Sequence, residues 1–368
     1  MSFGLSLYVH IPFCLSKCAY CDFYSRAEPV RDDVIDAAIA DCVASRPDTP
    51  WRTVYIGGGT PSLLSGRQLE RLCRAVGPCD GEYTVEVNPG CSGDGFWQVL
   101  ANSGINRVSV GAQSFADPVL KRIGRPHRAA DIARAVERTH RASIDNIGLD
   151  LICGLPEVDR HLWRDTLNAA LALSPCHLSI YPLTIAEGTP LAEDIAAGRL
   201  SPPDDDTVLC QLDDTEQRLT KAGFHHYEIA NWALPEHEGR HNLRYWEGAD
   251  YIGVGPAAVS TVGLQRTTRF SEFDGYVHAV RAGQPSGERE NLTPAERRFE
   301  MLMTGLRKSD GVDLKAWRQR WGHGVDYFYH PPLKSELAAG RLRRKNDRLF
   351  IPPAYRWVGN DIIRGFSP

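Results

Sequence analysis

No stretch of the 368 residues approaches the roughly 20 consecutive apolar residues that a bilayer-spanning helix needs. A basic leader is missing too. Met1-Ser-Phe-Gly carries no positive side chain, and the apolar run from Leu5 is broken by His10 and Pro12, so no secretory signal is expected. The formal net charge is only −4, far from the basic balance of a chain built to coat nucleic acid, and no nucleic-acid partner is expected. Lysine is scarce beside arginine, which reads as genome composition and not as a binding surface. Internal repeats and low-complexity tracts are absent. Of the ten cysteines, Cys42, Cys73, Cys79, Cys91, Cys153, Cys176 and Cys210 show no paired spacing. They read as small buried hydrophobes in a reducing compartment, the cytoplasm.

What is present is ordinary for a folded chain, 42% hydrophobic and 24% charged, and long enough for a large domain plus a smaller one. Short β-rich runs at Leu5–Ile11, Thr53–Ile56, Tyr83–Val87, Arg107–Val110, Ile147–Ile152 and His177–Tyr181 alternate with amphipathic stretches. The latter include Asp32–Ser45, Ser65–Val76, Asp94–Ser103, Ala129–Arg141 and Arg160–Leu173. Strand-then-helix repetition predicts parallel strands with right-handed crossovers, and near-continuous apolar strands predict cover on both faces. The fold class is therefore α/β, a partial (β/α)6-type barrel with its site at the C-terminal strand ends.

Beyond the sixth strand the pattern changes. Asp204–Ala222 predicts a long helix, and Tyr227–Ala233 and Tyr251–Val262 predict β structure that extends the sheet and closes one side of the cleft. Ala282–Glu290 reads as a linker. Thr293 as N-cap, Pro294 at N1 and Glu296 at N3 form a capping box that opens a second unit. Three helices and a basic hairpin over Arg341–Ile351 make that unit small, mainly helical and winged-helix-like. The expected division is 1–290 and 291–368. The hairpin's Arg341, Arg343, Arg344 and Lys345 read as a solvated face.

The first strand empties into Phe13-Cys14-Leu-Ser-Lys-Cys18-Ala-Tyr-Cys21. Three closely spaced thiolates can each hold one corner of a cubane iron–sulfur cluster and leave its fourth iron without a protein ligand. Lys17 beside them favours thiolates. A zinc site completed by His10, or plain structural thiols, are the bland alternatives. Gly57-Gly-Gly-Thr-Pro61 follows the second strand, and without Cβ atoms its backbone can approach a ligand closely. Glu86 is a charge inside an apolar strand, so it faces a salt-bridge partner or a polar pocket. Gln113 and Asp150 are further polar residues at strand ends, and Arg125 is placed to pair with a carboxylate. Together these groups suit an amino-acid nucleoside, its carboxylate on Arg125 and its ribose on acceptors such as Glu86 or Asp150.

C-x3-C-x2-C with an aromatic before its last cysteine is the signature of the radical SAM superfamily, and the stretch closely resembles it. The resemblance implies a 4Fe–4S cluster on Cys14, Cys18 and Cys21 whose open iron is chelated by S-adenosylmethionine (SAM). The glycine run resembles that superfamily's GGE element with Gly59 in the third place. The implied SAM pocket comprises Tyr8, Tyr20 (against the adenine), Gly59, Thr60, Pro61, Glu86, Gln113, Arg125 and Asp150.

Tyr8-Val-His-Ile-Pro-Phe-Cys, Glu86-Val-Asn-Pro, Gly111-Ala-Gln-Ser-Phe, Gly124-Arg-Pro-His and Asp150-Leu-Ile-Cys-Gly-Leu-Pro narrow the resemblance to the oxygen-independent coproporphyrinogen oxidase (HemN-like) group. Oxidases of that group carry a fourth cysteine two places after the third and a longer N-terminal segment. Phe23 stands at that place here, and the cluster motif begins by residue 14. His241-Asn-Leu-Arg-Tyr-Trp246 is instead similar to the HNxxYW element of HemW-type haem chaperones. An imidazole beside Tyr245 and Trp246 suits haem ligation and stacking, and it equally suits a surface histidine beside core aromatics. The resemblance thus implies haem as cargo, haem-acceptor proteins as partners, and an electron donor such as a flavodoxin if SAM is cleaved. Membrane association would be peripheral at most. The rival implication is radical decarboxylation of coproporphyrinogen III.

Overall fold

The computed structural model describes residues 4–367; Met1–Phe3, part of the segment read as lacking a basic leader, lie outside them. Buried apolar strands alternate with helices from the start. In chain order they are β1 (Ser6–Ile11), the two-residue β2 (Phe13–Cys14) and β3 (Arg26–Ala27), α1 (Asp32–Ser45), β4 (Val54–Gly58), α2 (Gly66–Val76), β5 (Tyr83–Val87) and α3 (Asp94–Leu100). There follow β6 (Arg107–Gln113), α4 (Asp117–Arg122), α5 (Ala129–Arg141), β7 (Ile147–Cys153), α6 (Arg160–Ala172), β8 (His177–Pro182), α7 (Pro190–Ala196) and α8 (Asp205–Lys221). Strands β1, β4, β5, β6, β7 and β8 pair in parallel in that order, the partial barrel that the repetition predicts. Leu7, Val9, Val54, Ile56, Val85 and Leu149 are fully buried between the layers, which is why these strands read as continuous apolar runs.

Both edges of this frame are extended. After α8 come β9 (His225–Glu228), β10 (Asn231–Ala233), α9 (Arg240–Trp246), β11 (Tyr251–Val254), β12 (Val259–Val262), β13 (Gln265–Arg269), α10 (Phe273–Arg281) and β14 (Ser286–Asn291). The sheet has twelve strands in the order β14-β13-β12-β11-β1-β4-β5-β6-β7-β8-β10-β9. Three expectations need correction here. Tyr227–Ala233 is an antiparallel pair and not one run, because the chain reverses at Ile229-Ala230 between β9 and β10. Tyr251–Val262 is also two strands; the chain reverses at Gly255, whose φ is +98° and where a Cβ would meet the His10 carbonyl at 2.3 Å. Most of the supposed linker is strand β14, paired with β13. Its residues are exposed or half-exposed on both faces, so it shows no alternation to betray it.

The Thr293 capping box starts α11 (Pro294–Gly305) as expected. Then β15 (Val312–Asp313), α12 (Leu314–Trp321), α13 (Val325–Ala338), β16 (Arg343–Lys345), β17 (Arg348–Phe350) and α14 (Gly359–Arg364) surround a second apolar cluster that includes Leu302, Trp317, Leu333, Leu349 and Phe366. Asn346 and Asp347 both have positive φ and turn the basic hairpin. Among the described residues no helix is long and apolar enough to cross a membrane. Cys42, Cys73, Cys153 and Cys176 are buried as expected, but Cys79, Cys91 and Cys210 are only half-buried.

Candidate cofactor site

The cysteine loop leaves β1 through Pro12 and Phe13, whose ring packs 5.2 Å from that of Phe273. Pairing of β2 with β3 closes it, with Arg26 N–H donating to the Pro12 carbonyl at 2.7 Å. Midway, Ala19 N–H donates to the Ile123 carbonyl (3.0 Å) and the Ala19 carbonyl accepts from Leu191 N–H (2.9 Å). Gly124 lets the α4 turn come this close, since its φ is +74° and a Cβ would lie 3.3 Å from Ala19 N. A loop pinned on both flanks holds three free thiols, Cys18 buried and Cys14 and Cys21 half-buried. Donors point at the sulfurs: Thr60 Oγ1 at Cys14 Sγ (3.6 Å) and Arg125 Nη1 at Cys18 Sγ (3.5 Å). Burial pushes the Cys21 thiol up; the Phe23 backbone and Lys17 oppose this, and Lys17 is the smallest influence on it.

Of the bland alternatives, the zinc site fails on geometry. His10 Nδ1 is hydrogen-bonded to Tyr8 Oη and Nε2 to the Tyr24 carbonyl, each at 2.9 Å, so neither ring nitrogen faces the thiols. Among the described residues no three His, Cys, Asp or Glu side chains converge as the donors of one metal ion would. Thiolates on three separate irons of a cubane need no such convergence, and the donors aimed at Cys14 and Cys18 suit sulfur that carries charge. The residues fit a cluster better than a single ion.

Behind the loop, the inner face of the barrel carries a lateral row of polar side chains. The register sets Tyr8 beside Tyr55, Glu86 beside Ser109, Asp150 beside Ser179, and Ser179 beside Asn231. Among the described residues Glu86 has no salt bridge; Tyr55 Oη donates to Oε1 (2.7 Å) and Gly58 N–H to Oε2 (3.1 Å). Burial pushes its carboxyl up to about 7, Asp150 adds to this, and the two donors hold part of it back. Asp150 lies in the middle of β7 and not at its end; Ser109 Oγ donates to its oxygens at 2.9 and 3.1 Å, and burial raises it too. Gln113 closes β6 with φ +65°, beside a register shift in the pairing of β6 with β7. Arg125 spends Nη2 on the Gly111 carbonyl (2.7 Å) and Asn88 Oδ1 (2.9 Å). Tyr20 is half-buried, close enough to Cys18 and Arg125 for each to act on its hydroxyl.

The glycine run has a different physical cause from the one the sequence suggests. A Cβ on Gly57 would strike the Tyr55 ring (2.6 Å) and Glu86 Oε1 (2.8 Å); on Gly59 it would strike the Phe13 carbonyl (2.6 Å). The chain's own strands fill the space, and Thr60 and Pro61 then lead into a short 3-10 turn.

His241 stands elsewhere. It hydrogen-bonds through Nδ1 to Thr53 Oγ1 (2.9 Å) and through Nε2 to Tyr245 Oη (3.0 Å), at the N-terminal ends of β1 and β4. The cysteines lie at the opposite ends of those strands. At 2% exposure it is not a surface histidine, and burial with Arg244 nearby holds its imidazole down to about 3. Trp246 is half-buried. Residues that the sequence did not single out complete the cofactor side: Tyr55, Asn88, Ser109 and Ser179. Their signal is register between strands far apart in sequence, which no local motif carries.

The family profile of the radical SAM superfamily matches residues 8–170, and that of the HemN C-terminal domain matches residues 292–357. Heme chaperone HemW of Bacillus subtilis (strain 168) is 31% identical over 374 residues, spanning 98% of this chain and 98% of its own. The protein of the same name from Escherichia coli (strain K12) is 35% identical, spanning 92% and 91%. Among solved structures, coproporphyrinogen III oxidase (HemN) from Escherichia coli superposes with a TM-score of 0.84 over 99% of this chain and 90% of that one, at 23% identity, a likeness of fold.

Proposed function

Because the chain belongs to the HemW family within the radical SAM superfamily, we propose that it is a haem chaperone, binding haem and passing it to haem-acceptor proteins. One observation carries the reading: the likeness to proteins named Heme chaperone HemW runs over nearly the full length of both chains. Superfamily membership implies a 4Fe–4S cluster and SAM. In this reading Cys14, Cys18 and Cys21 hold the cluster. What the bound group supplies is a coordination site for SAM and, where SAM is cleaved, an electron brought by a donor such as a flavodoxin. Arg125 offers its cation to the SAM carboxylate, Tyr20 its ring to the adenine, and Glu86, Gln113 and Asp150 hydrogen bonds to the ribose. Tyr8, Gly59, Thr60 and Pro61 shape the wall. Residues 1–290 form the barrel unit and 291–368 a winged-helix-like one, in a cytoplasmic protein with at most peripheral membrane contact.

The haem contact at His241, Tyr245 and Trp246 is proposed with a geometric condition. His241 Nε2 becomes an iron ligand only when Tyr245 Oη, 3.0 Å away, swings aside. Titrating haem into wild type and His241→Ala tests this: lost stoichiometric binding in the variant supports ligation, and an unchanged titration gives the element a bracing role. The competing reading, favoured by the HemN-like fold, is coproporphyrinogen III oxidation. Anaerobic protein with SAM, reductant and coproporphyrinogen III is expected to form no protoporphyrinogen. Robust turnover, or failure of the wild type to bind haem, would overturn the chaperone assignment.

A further inference from the structure

Far from the cysteines, the C-terminal segment carries an exposed surface of rings and cations. Gly322 ends α12 with φ +75° and Gly324 precedes α13, so His323 is presented between two glycines. It is exposed, and neither ring nitrogen is hydrogen-bonded among the described residues. The imidazole stacks on Tyr327 at 4.0 Å, and Tyr327, 69% exposed, meets Phe328 edge-on at 5.1 Å. Arg298 of α11 lies over the rings of Phe328 (4.2 Å) and Trp321 (5.4 Å). Arg318 Nη2 comes within 3.9 Å of where a Cβ on Gly324 would stand. These contacts join one imidazole, three aromatic rings and two guanidinium groups into a continuous patch.

Its charge is uncompensated. Among the described residues neither Arg298 nor Arg318 has a carboxylate within ion-pair reach, and the adjacent Asp326 is held by Arg344 at 2.5 Å. Spare cations beside exposed rings suit an anion with a flat apolar body. A free imidazole adds a ligand for a metal held in that body. Haem meets all three demands with its porphyrin face, its carboxylates and its iron. A nucleic acid would leave the imidazole without a role, and a net charge of −4 does not favour one. His241, by contrast, is 2% exposed with both ring nitrogens hydrogen-bonded.

We propose a second haem site here, with His323 as iron ligand, Tyr327 and Phe328 beside the porphyrin, and Arg298 and Arg318 receiving its propionates. This rests on the haem-chaperone reading above. On binding, the neutral imidazole gives its electron pair to ferric iron and displaces a water molecule. No proton or electron is exchanged. Haem held at the surface can be lifted off by an acceptor protein while the barrel stays closed.

The test titrates ferric haem into wild type, His241→Ala, the double variant His241→Ala/His323→Ala, and His241→Ala carrying Arg298→Glu and Arg318→Glu. His241→Ala is expected to keep about one equivalent, with the absorption and electron paramagnetic resonance spectra of histidine-ligated haem. The double variant is expected to lose those spectra and to bind about tenfold more weakly; the charge reversal is expected to weaken binding about as much and keep the spectra. Iron-free protoporphyrin IX is expected to bind His241→Ala and the double variant alike, because it takes no axial ligand. Should His241→Ala fail to fold, His323→Ala against wild type reads the same loss. A double variant that binds haem as His241→Ala does would overturn the role of His323. Binding abolished by His241→Ala in folded protein would overturn this site and leave the chaperone reading standing, whereas a wild type that binds no haem overturns both. A labelled single-stranded oligonucleotide is expected to stay free. Its capture, lost on charge reversal while haem binding is untouched, would make the patch a nucleic-acid face instead.

Discussion

Cys18 is the most deeply buried thiol of the trio and the one that Arg125 touches. Its replacement by Ala is expected to abolish the visible absorption of the reconstituted cluster while circular dichroism stays that of the wild type. A Cys18→Ala protein with a full iron and sulfide complement would remove it from the ligand set. Glu86 makes a separate prediction about pH. Its folded carboxyl titrates at about 7 against an ordinary 4.5, so the folded state holds a proton that the unfolded chain has already released. Stability therefore falls as pH rises from about 4.5 to about 7 and levels off above, a cost of about 3 kcal/mol in cluster-free protein. Glu86→Gln is expected to flatten that part of the curve of melting temperature against pH; an unchanged slope would reject the raised value. The cysteine motif was legible because its ligands are contiguous. Asn88, Ser109 and Ser179 were not, since their partners Arg125 and Asp150 come from other elements. The burial of His241 was not legible for a related reason, because a motif states neither burial nor which end of a strand it meets.

At the scale of elements, local rules were read well where the element carries its own signal. The Thr293–Glu296 capping box is formed as read, and the structure adds a second at Ser65–Gln68 that was read only as the start of an amphipathic stretch. Thr293→Ala is expected to cost about 1 kcal/mol in urea unfolding, from the lost cap of α11. The six parallel strands were likewise legible, because cover on both faces forces continuous apolar runs. Hairpins β9–β10 and β11–β12 were read only as stretches of β structure with no reversal marked inside them, although Gly255-Pro256 stands between β11 and β12. A long-range tie that sequence does not reveal joins α1 to the extension: Arg269 pairs with Asp41 at 2.9 and 3.0 Å, and Tyr276 Oη donates to the same carboxylate at 2.9 Å. Asp41 is fully buried, so Asp41→Ala strands the guanidinium without its anion. The expected loss is about 3–5 kcal/mol, measured by the same unfolding midpoint; a loss below about 1 kcal/mol would show that water reaches the gap.

For the whole molecule, the contact between its two apolar clusters decides how cooperatively it unfolds. His226 stacks on Trp232 at 3.8 Å and meets Glu216 Oε2 at 2.9 Å, while Arg356 from the C-terminal segment packs against the same imidazole and donates to Ser309 Oγ at 3.3 Å. Ser309 N–H in turn donates to the Tyr227 carbonyl at 2.9 Å. Arg356→Ala is expected to lower stability by about 1–3 kcal/mol and to speed amide hydrogen exchange in residues 225–233 and 306–309. Exchange confined to α14 would show that the two clusters hold together without it. The C-terminal contact has a counterpart at the other margin of the sheet. A bridge from Glu228 to Lys308 covers the β9 side, whereas β14 ends the opposite side with Glu288, Arg289 and Glu290 exposed. An unguarded margin would invite a neighbouring chain to add its own strand and begin a fibre. Here one border is already taken and the other repels by charge and hydration, so the molecule can grow crowded in solution without zipping to its twin.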